Sequence, residues 1–340
     1  MGIGACCAAL LAGVASSGQT QLAYVRSHVL YVVPCDAYGR LTKGAKQVRV
    51  CDVPRESHGE DKVIAWTPSG QIAFLPRKSP SIHPPAIEVA QPTAGARPGL
   101  LVHGYAPAFS PDRSRVAFEV ERDRGSNISL PDLWIMDLSS GRKTLLAQNA
   151  ENAAWSRAGN RLSFTTFDAR HAEVRVLVCE FPSLRLVRSF EVGNPCDVRF
   201  SPNGRLLAVH NHLSRPLSGH TVYDLGSGEA LDPAYPGQYA PPTLEDWSPD
   251  NRSAIFDWRV QDPGNDGSWI RQFEAITRLD TGKSRVLAEG RDARFSPNGK
   301  AVMYRTGLRG DMGDLCWMTV TSRQQPARLL RGISQFAFWR

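Results

Sequence analysis

Residues 200–204 read Phe-Ser-Pro-Asn-Gly, and residues 295–299 read Phe-Ser-Pro-Asn-Gly again. Looser copies, each an aromatic, a turn and an apolar run, begin at Trp66 (WTPSGQIAFL), Phe109 (FSPDRSRVAF), Trp155 (WSRAGNRLSF) and Trp247 (WSPDNRSAIF). Trp339 starts a last, truncated copy, so the aromatics recur every 43 to 48 residues. A period of that size belongs to a propeller blade or a solenoid unit.

The turn chemistry separates the two. In Ser201-Pro202-Asn203-Gly204, proline presets φ at the second turn position, asparagine suits the third, and glycine accepts the positive φ of a tight strand connection. The runs that follow, such as Leu206 to Val209 and Ala301 to Tyr304, have strand length and no helical spacing. A second hairpin follows in most units, as in Leu133 to Leu138, Ser139-Ser140-Gly141, then Lys143 to Leu146. Four antiparallel strands in about 45 residues make a β-propeller blade. Arg157-Ala158 replaces Pro-Asp in one copy and Arg113-Ser114 replaces the glycine in another, so those two turns are expected to be looser.

With these motifs the chain resembles the TolB-type WD40-like repeat family, whose blades carry an aromatic-Ser-Pro-Asp-Gly turn before an apolar strand. The likeness runs over roughly residues 20–340 and implies an all-β propeller of four-stranded blades; its motifs are specific for the fold and not for a function. Phe336 to Trp339 at the C-terminus and three N-terminal strands (Gln21 to Val25, Val29 to Val33, Val48 to Val50) make a split blade that closes the ring. Seven blades result, with six as the alternative if a degenerate unit does not form. Closure removes the sheet edges that an open array would expose. Trp66, Phe109, Trp155, Phe200, Trp247, Phe295 and Trp339 are expected in the blade core.

The composition fits one such domain: 29 Gly and 24 Pro suit many tight turns, and no heptad pattern appears. The net charge of +7 does not signal nucleic acid, because only seven of the 40 basic residues are lysines and the arginines lie scattered among acids. Residues 3–15 form an apolar, small-residue run of signal-peptide length, too short to span a bilayer as a helix, with no Lys or Arg before it. Residues 1–17 are read as a signal peptide and 18–340 as one propeller domain, placing the protein in the periplasm or outside the cell. A cytoplasmic protein, with Val14 to Tyr24 as a degenerate first hairpin, is the alternative. Cys35 and Cys51 fall on candidate partner strands, so an oxidising compartment would allow a disulfide between them, two buried thiols being the other reading.

Catalytic signatures are mostly missing. No serine sits in a Gly-x-Ser-x-Gly elbow, and Thr281-Gly282-Lys283-Ser284 lies in a hairpin without the upstream glycine of a phosphate loop. His210, His212 and His220 could ligate a metal, as a fold analogy to propeller sugar lyases would suggest, but no adjacent carboxylate orients them. In a four-stranded antiparallel blade the Ser-Pro-Asn-Gly turns share one face, and the second turns, long and varied, share the other. Arg122, Arg124, Arg170, His171, Arg215, Trp258, Arg259, Asp262, Trp269, Arg305 and Arg309 fall in those long turns, where arginine and tryptophan suit a protein or peptide partner. The expectation is a monomeric binding scaffold without cofactor. A metal-dependent propeller enzyme, or a propeller that accompanies a hydrolase, is the competing class.

Overall fold

The computed structural model describes residues 20–27, 29–52, 64–67, 70–74, 86–112, 114–121, 131–168, 173–193, 195–211, 219–231, 242–261, 270–309, 312–321, 326–333 and 335–339. These residues form strands and turns only. Blade 1 consists of β4 (Ile64–Trp66), β5 (Ile72–Phe74), β6 (Ala86–Ala90) and β7 (Gly99–His103). Blade 2 holds β8 (Tyr105–Phe109), β9 (Arg115–Val120), β10 (Asp132–Asp137) and β11 (Lys143–Ala147). In blade 3 are β12 (Ala150–Trp155), β13 (Arg161–Asp168), β14 (Glu173–Glu180) and β15 (Leu186–Val192). Blade 4 follows with β16 (Pro195–Phe200), β17 (Leu206–Asn211), β18 (Gly219–Asp224) and β19 (Ala230–Leu231). Blade 5 is β20 (Thr243–Trp247), β21 (Ser253–Gln261), β22 (Ile270–Arg278) and β23 (Ser284–Glu289). Blade 6 is β24 (Arg291–Phe295), β25 (Ala301–Arg309), β26 (Met312–Thr319) and β27 (Ala327–Ile333).

The seventh blade is the split one. Its order is β28 (Gln335–Trp339), β1 (Thr20–Arg26), β2 (Val29–Cys35), β3 (Val48–Asp52), with Gln21 opposite Trp339 and Val25 opposite Gln335. Seven blades therefore form, closed by C-terminal and N-terminal strands as expected. No helix among the described residues is long and apolar enough to cross a membrane. The signal-peptide reading concerns residues that lie outside those described.

The described residues do not share a single core. Seven apolar clusters each join two neighbouring blades: Ala117, Leu133 and Ile135 of blade 2 meet Leu162 and Phe164 of blade 3, for example. The aromatics enter these joints unequally. Phe200, Trp247 and Phe295 are buried, whereas Trp66, Phe109 and Trp155 are half-buried at the edge of their clusters. Trp155 keeps its indole N–H satisfied by donating to Ala108 O of blade 2 at 3.0 Å.

The serine of the motif has its own task. Ser201 Oγ accepts the N–H of Leu206 at 2.9 Å and donates to Asn203 Oδ1 at 2.8 Å, closing the turn from inside. Ser110, Ser156, Ser248 and Ser296 repeat the arrangement and are all buried. Both divergent turns keep the serine bonds: Ser110 bonds Asp112 and Arg115, and Ser156 recruits Asn160 where the Asp is missing, while Arg113 lies outside the described residues. In the Trp247 copy Asn251 takes the glycine position at φ 60°, within reach of an asparagine.

Of the two readings of Cys35 and Cys51, the structure has the pair of buried thiols. Cys35 packs in the joint to blade 6 and Cys51 in the joint to blade 1, on opposite faces of blade 7, and both are buried free thiols. Burial pushes the Cys35 thiol up to about 12 and the Cys51 thiol to about 11.

Candidate functional site

The inner strands β4, β8, β12, β16, β20, β24 and β28 stand side by side around the ring axis. β8, β12, β16, β20 and β24 start at the long-loop face and end at a serine turn, and β4 ends at the matching turn of Thr67. Register places Tyr105 opposite Glu119, Glu151 opposite Thr165, Asp197 opposite His210, Thr243 opposite Asp257 and Arg291 opposite Arg305. Glu119, Thr165, His210, Asp257 and Arg305 thus hold one repeat position on the second strand of blades 2 to 6, and all five are buried. A layer of polar side chains lies directly beneath the long-loop face.

Bulges in the inner strands explain part of that layer. All five of these inner strands slip register near their start, and Ala106, Asn152 and Asp292 take left-handed φ values of 47°, 57° and 59°. A bulge frees backbone N–H groups from the ladder, and buried ones need other acceptors. The preceding blade supplies them. Glu119 Oε1 accepts from Asn152 N (2.7 Å), His220 Nδ1 from Leu244 N (2.8 Å), and Glu274 Oε1 from Ala293 N (3.1 Å).

Blades 4 to 6 add charge to the inner strands themselves. The residue before the repeat aromatic is alanine in blades 1 to 3 (Ala65, Ala108, Ala154) but Arg199, Asp246 and Arg294 in blades 4 to 6. Arg199 Nη1 donates to Leu244 O at 3.0 Å and Glu245 O at 2.8 Å, and also pairs with Asp197. From the other side Arg294 Nη1 meets Glu245 Oε2 at 3.0 Å and the Glu245 carbonyl. Asp246 Oδ2 accepts from Phe295 N at 2.9 Å, and Arg305 bridges to Asp292 with Nε at 2.6 Å. Glu245, with a side chain 14 % exposed, is therefore clamped between two arginines of adjacent blades.

Burial dominates the acid–base state of this cluster. It pushes Glu245 up to about 7 against the pull of Arg294 and Arg199, with Asp292 and Asp257 adding repulsion. Glu274 is fully buried and raised well above the carboxylate range, first by burial and then by Glu245 and Asp257. Asp257 stands directly opposite Glu274 across β21 and β22, a like-charge pairing that sheets normally avoid. Groups perturbed by burial and by named charges are functional-site candidates.

The residues expected from sequence fare differently. Arg122, Arg124, Arg170, His171, His212, Arg215, Asp262 and Trp269 lie outside the described residues. Trp258 and Arg305 belong to strands and are buried, because β21 and β25 run further than the sequence suggested. Arg259 and Arg309 also fall within those strands. His210 and His220 come together as cross-strand partners with ring centroids 4.7 Å apart, both buried. His220 Nδ1 is already used by Leu244, and among the described residues no group of three His, Cys, Asp or Glu can hold a metal. The two described histidines do not by themselves fit a metal centre. Sequence reading missed the inner-strand charges, although the change from alanine to Arg, Asp and Arg before the aromatic was there to be seen.

No family model matches the chain, and no curated protein matches it. Solved structures do. An oligogalacturonate lyase in complex with manganese aligns over 90% of this chain and 82% of its own, at 13% identity and TM-score 0.55. A protein assigned as TolB from Agrobacterium tumefaciens aligns over 83% of this chain and 94% of its own, at 12% identity and TM-score 0.50. TolB from Acinetobacter baumannii shares 19% identity over 79% of this chain at TM-score 0.48, and the chain spans 63% of its length. The chain is a seven-bladed β-propeller similar in fold to TolB-type propellers and to propellers of enzymes.

Proposed function

We propose that the protein is a non-catalytic binding scaffold, exported to the periplasm or beyond, that takes a protein or peptide partner on its long-loop face. The observation that carries this reading is the charged layer beneath that face. The bulged N–H groups at the joints take their acceptors from Glu119, His220 and Glu274, and beyond these blades 4 to 6 place Arg199, Asp246 and Arg294 where blades 1 to 3 place alanine. Such groups are costly to bury and tend to be kept where they meet a ligand. Arg291, Asp292 and Arg294 keep roughly a third of their side chains exposed, so a partner can reach them. Peptides carry both charge signs and suit a mixed surface of this kind.

The test is affinity capture from the native host with the parent and with a variant carrying Arg122→Ser, Arg124→Ser, Arg170→Ser and Arg215→Ser. A partner held by the parent and lost by a variant of equal stability supports the reading. A partner retained in full would move the binding surface elsewhere.

A further inference from the structure

Glu274 has one oxygen bonded to Ala293 N and a second, Oε2, that is buried and has no hydrogen-bond partner among the described residues. A fully buried carboxylate with an idle oxygen signals an absent ligand, water or ion. The oxygen lies in the joint between blades 5 and 6. Asp257 is its cross-strand partner, Ala293 adjoins Asp292, and Glu245 acts on it more strongly than any other charged neighbour. The arginines nearby are already spent: Arg294 on Glu245, Arg199 on Asp197 and the backbone of β20, and Arg305 on Asp292. The joint holds an excess of acid, and Asp292 at its rim keeps 39 % of its side chain exposed.

We infer that this joint is a subsite for a primary ammonium group, the amino end of a peptide or a lysine side chain, bound between Glu245 and Glu274. The inference rests on the peptide-binding reading above and names what that face recognises. An ammonium offers three donors on a compact centre and can serve two carboxylates at once. A metal ion fits less well, since no three ligating groups converge among the described residues. Glu245, raised to about 7, holds a proton over part of the neutral range, so an incoming cation that binds its carboxylate displaces that proton into solution.

Calorimetry with trialanine amide and its N-acetyl twin, at pH 6.5 in two buffers of different ionisation enthalpy, tests this. The free amine binds, the acetylated twin does not, and the buffer difference reports released protons. Glu274→Gln and Glu245→Gln, each checked by thermal melting, weaken the free amine at least ten-fold. Equal binding of both peptides overturns the ammonium subsite and leaves the scaffold reading intact. If neither binds at about 10 mM, the subsite falls, and partner capture alone judges the scaffold. Calcium bound in the amine's place and lost in Glu274→Gln overturns the assignment in favour of a metal.

Discussion

Ser296 shows why five of the copies place serine, and the Trp66 copy threonine, after the aromatic. Its hydroxyl accepts Ala301 N at 3.0 Å and donates to Asn298 at 2.9 Å, in a fully buried position. Ser296→Ala leaves Ala301 N unsatisfied, and urea unfolding is expected to show a loss of about 1–2 kcal/mol. Gly299 is constrained twice over. It has φ 70°, and an added Cβ would sit 3.0 Å from Pro249 of the neighbouring turn. Gly282 has a similar φ of 65° but open space around it. Both alanine variants bear the conformational cost of about 1 kcal/mol, so Gly299→Ala is expected to unfold at lower urea than Gly282→Ala. Equal midpoints would show that the interlocked turns give way freely.

At the scale of the element, the acid cluster between β20, β21, β22 and β24 dictates a pH dependence. Glu245 has a folded pKa raised to about 7, so between the ordinary carboxylate range and pH 7 the folded state holds a proton that the unfolded chain releases. Stability from this group is present at about pH 4.5 and is lost as pH rises towards 7, by an amount on the order of 2–3 kcal/mol. Melting curves of the parent and Glu245→Gln across pH 5 to 8 are expected to converge at the acid end and separate at the alkaline end. Parallel profiles would contradict the assignment. Strands and turns were legible in the sequence because their determinants are local: an aromatic, a serine, a left-handed residue and an apolar run within ten positions. The joints were not. Glu119 serves Asn152, His220 serves Leu244 and Glu274 serves Ala293, pairs that only the ring brings together. The long turns were over-drawn for a similar reason, since Arg305 reads as a polar loop residue until Asp292 is seen beside it.

For the whole molecule, closure is a matter of two contacts at the same joint. β28 pairs with β1, and the loop after β2 laps onto blade 6, where Trp317 Nε1 donates to Tyr38 O at 2.7 Å and Asn298 N to Ala37 O at 3.1 Å. Truncation after Ile333 removes the inner strand of blade 7 and exposes the edge of β1. Such a chain is expected to lose its cooperative melt and to elute as aggregates in gel filtration. Because the thiols of Cys35 and Cys51 lie in different joints, added reductant is expected to leave the melting temperature of the parent unchanged. The account as a whole holds that the charged layer under the long-loop face serves binding and not the fold. Thermal melting of Glu274→Gln at pH 8 tests that most directly. Glutamine keeps the acceptor for Ala293 N and replaces a buried, ionisable carboxyl by a neutral amide, so the variant is predicted to melt as high as the parent or higher, by up to about 1–3 kcal/mol of stability. A clearly lower melting temperature would mean that the carboxylate holds blades 5 and 6 together, and the functional reading of the layer would fall.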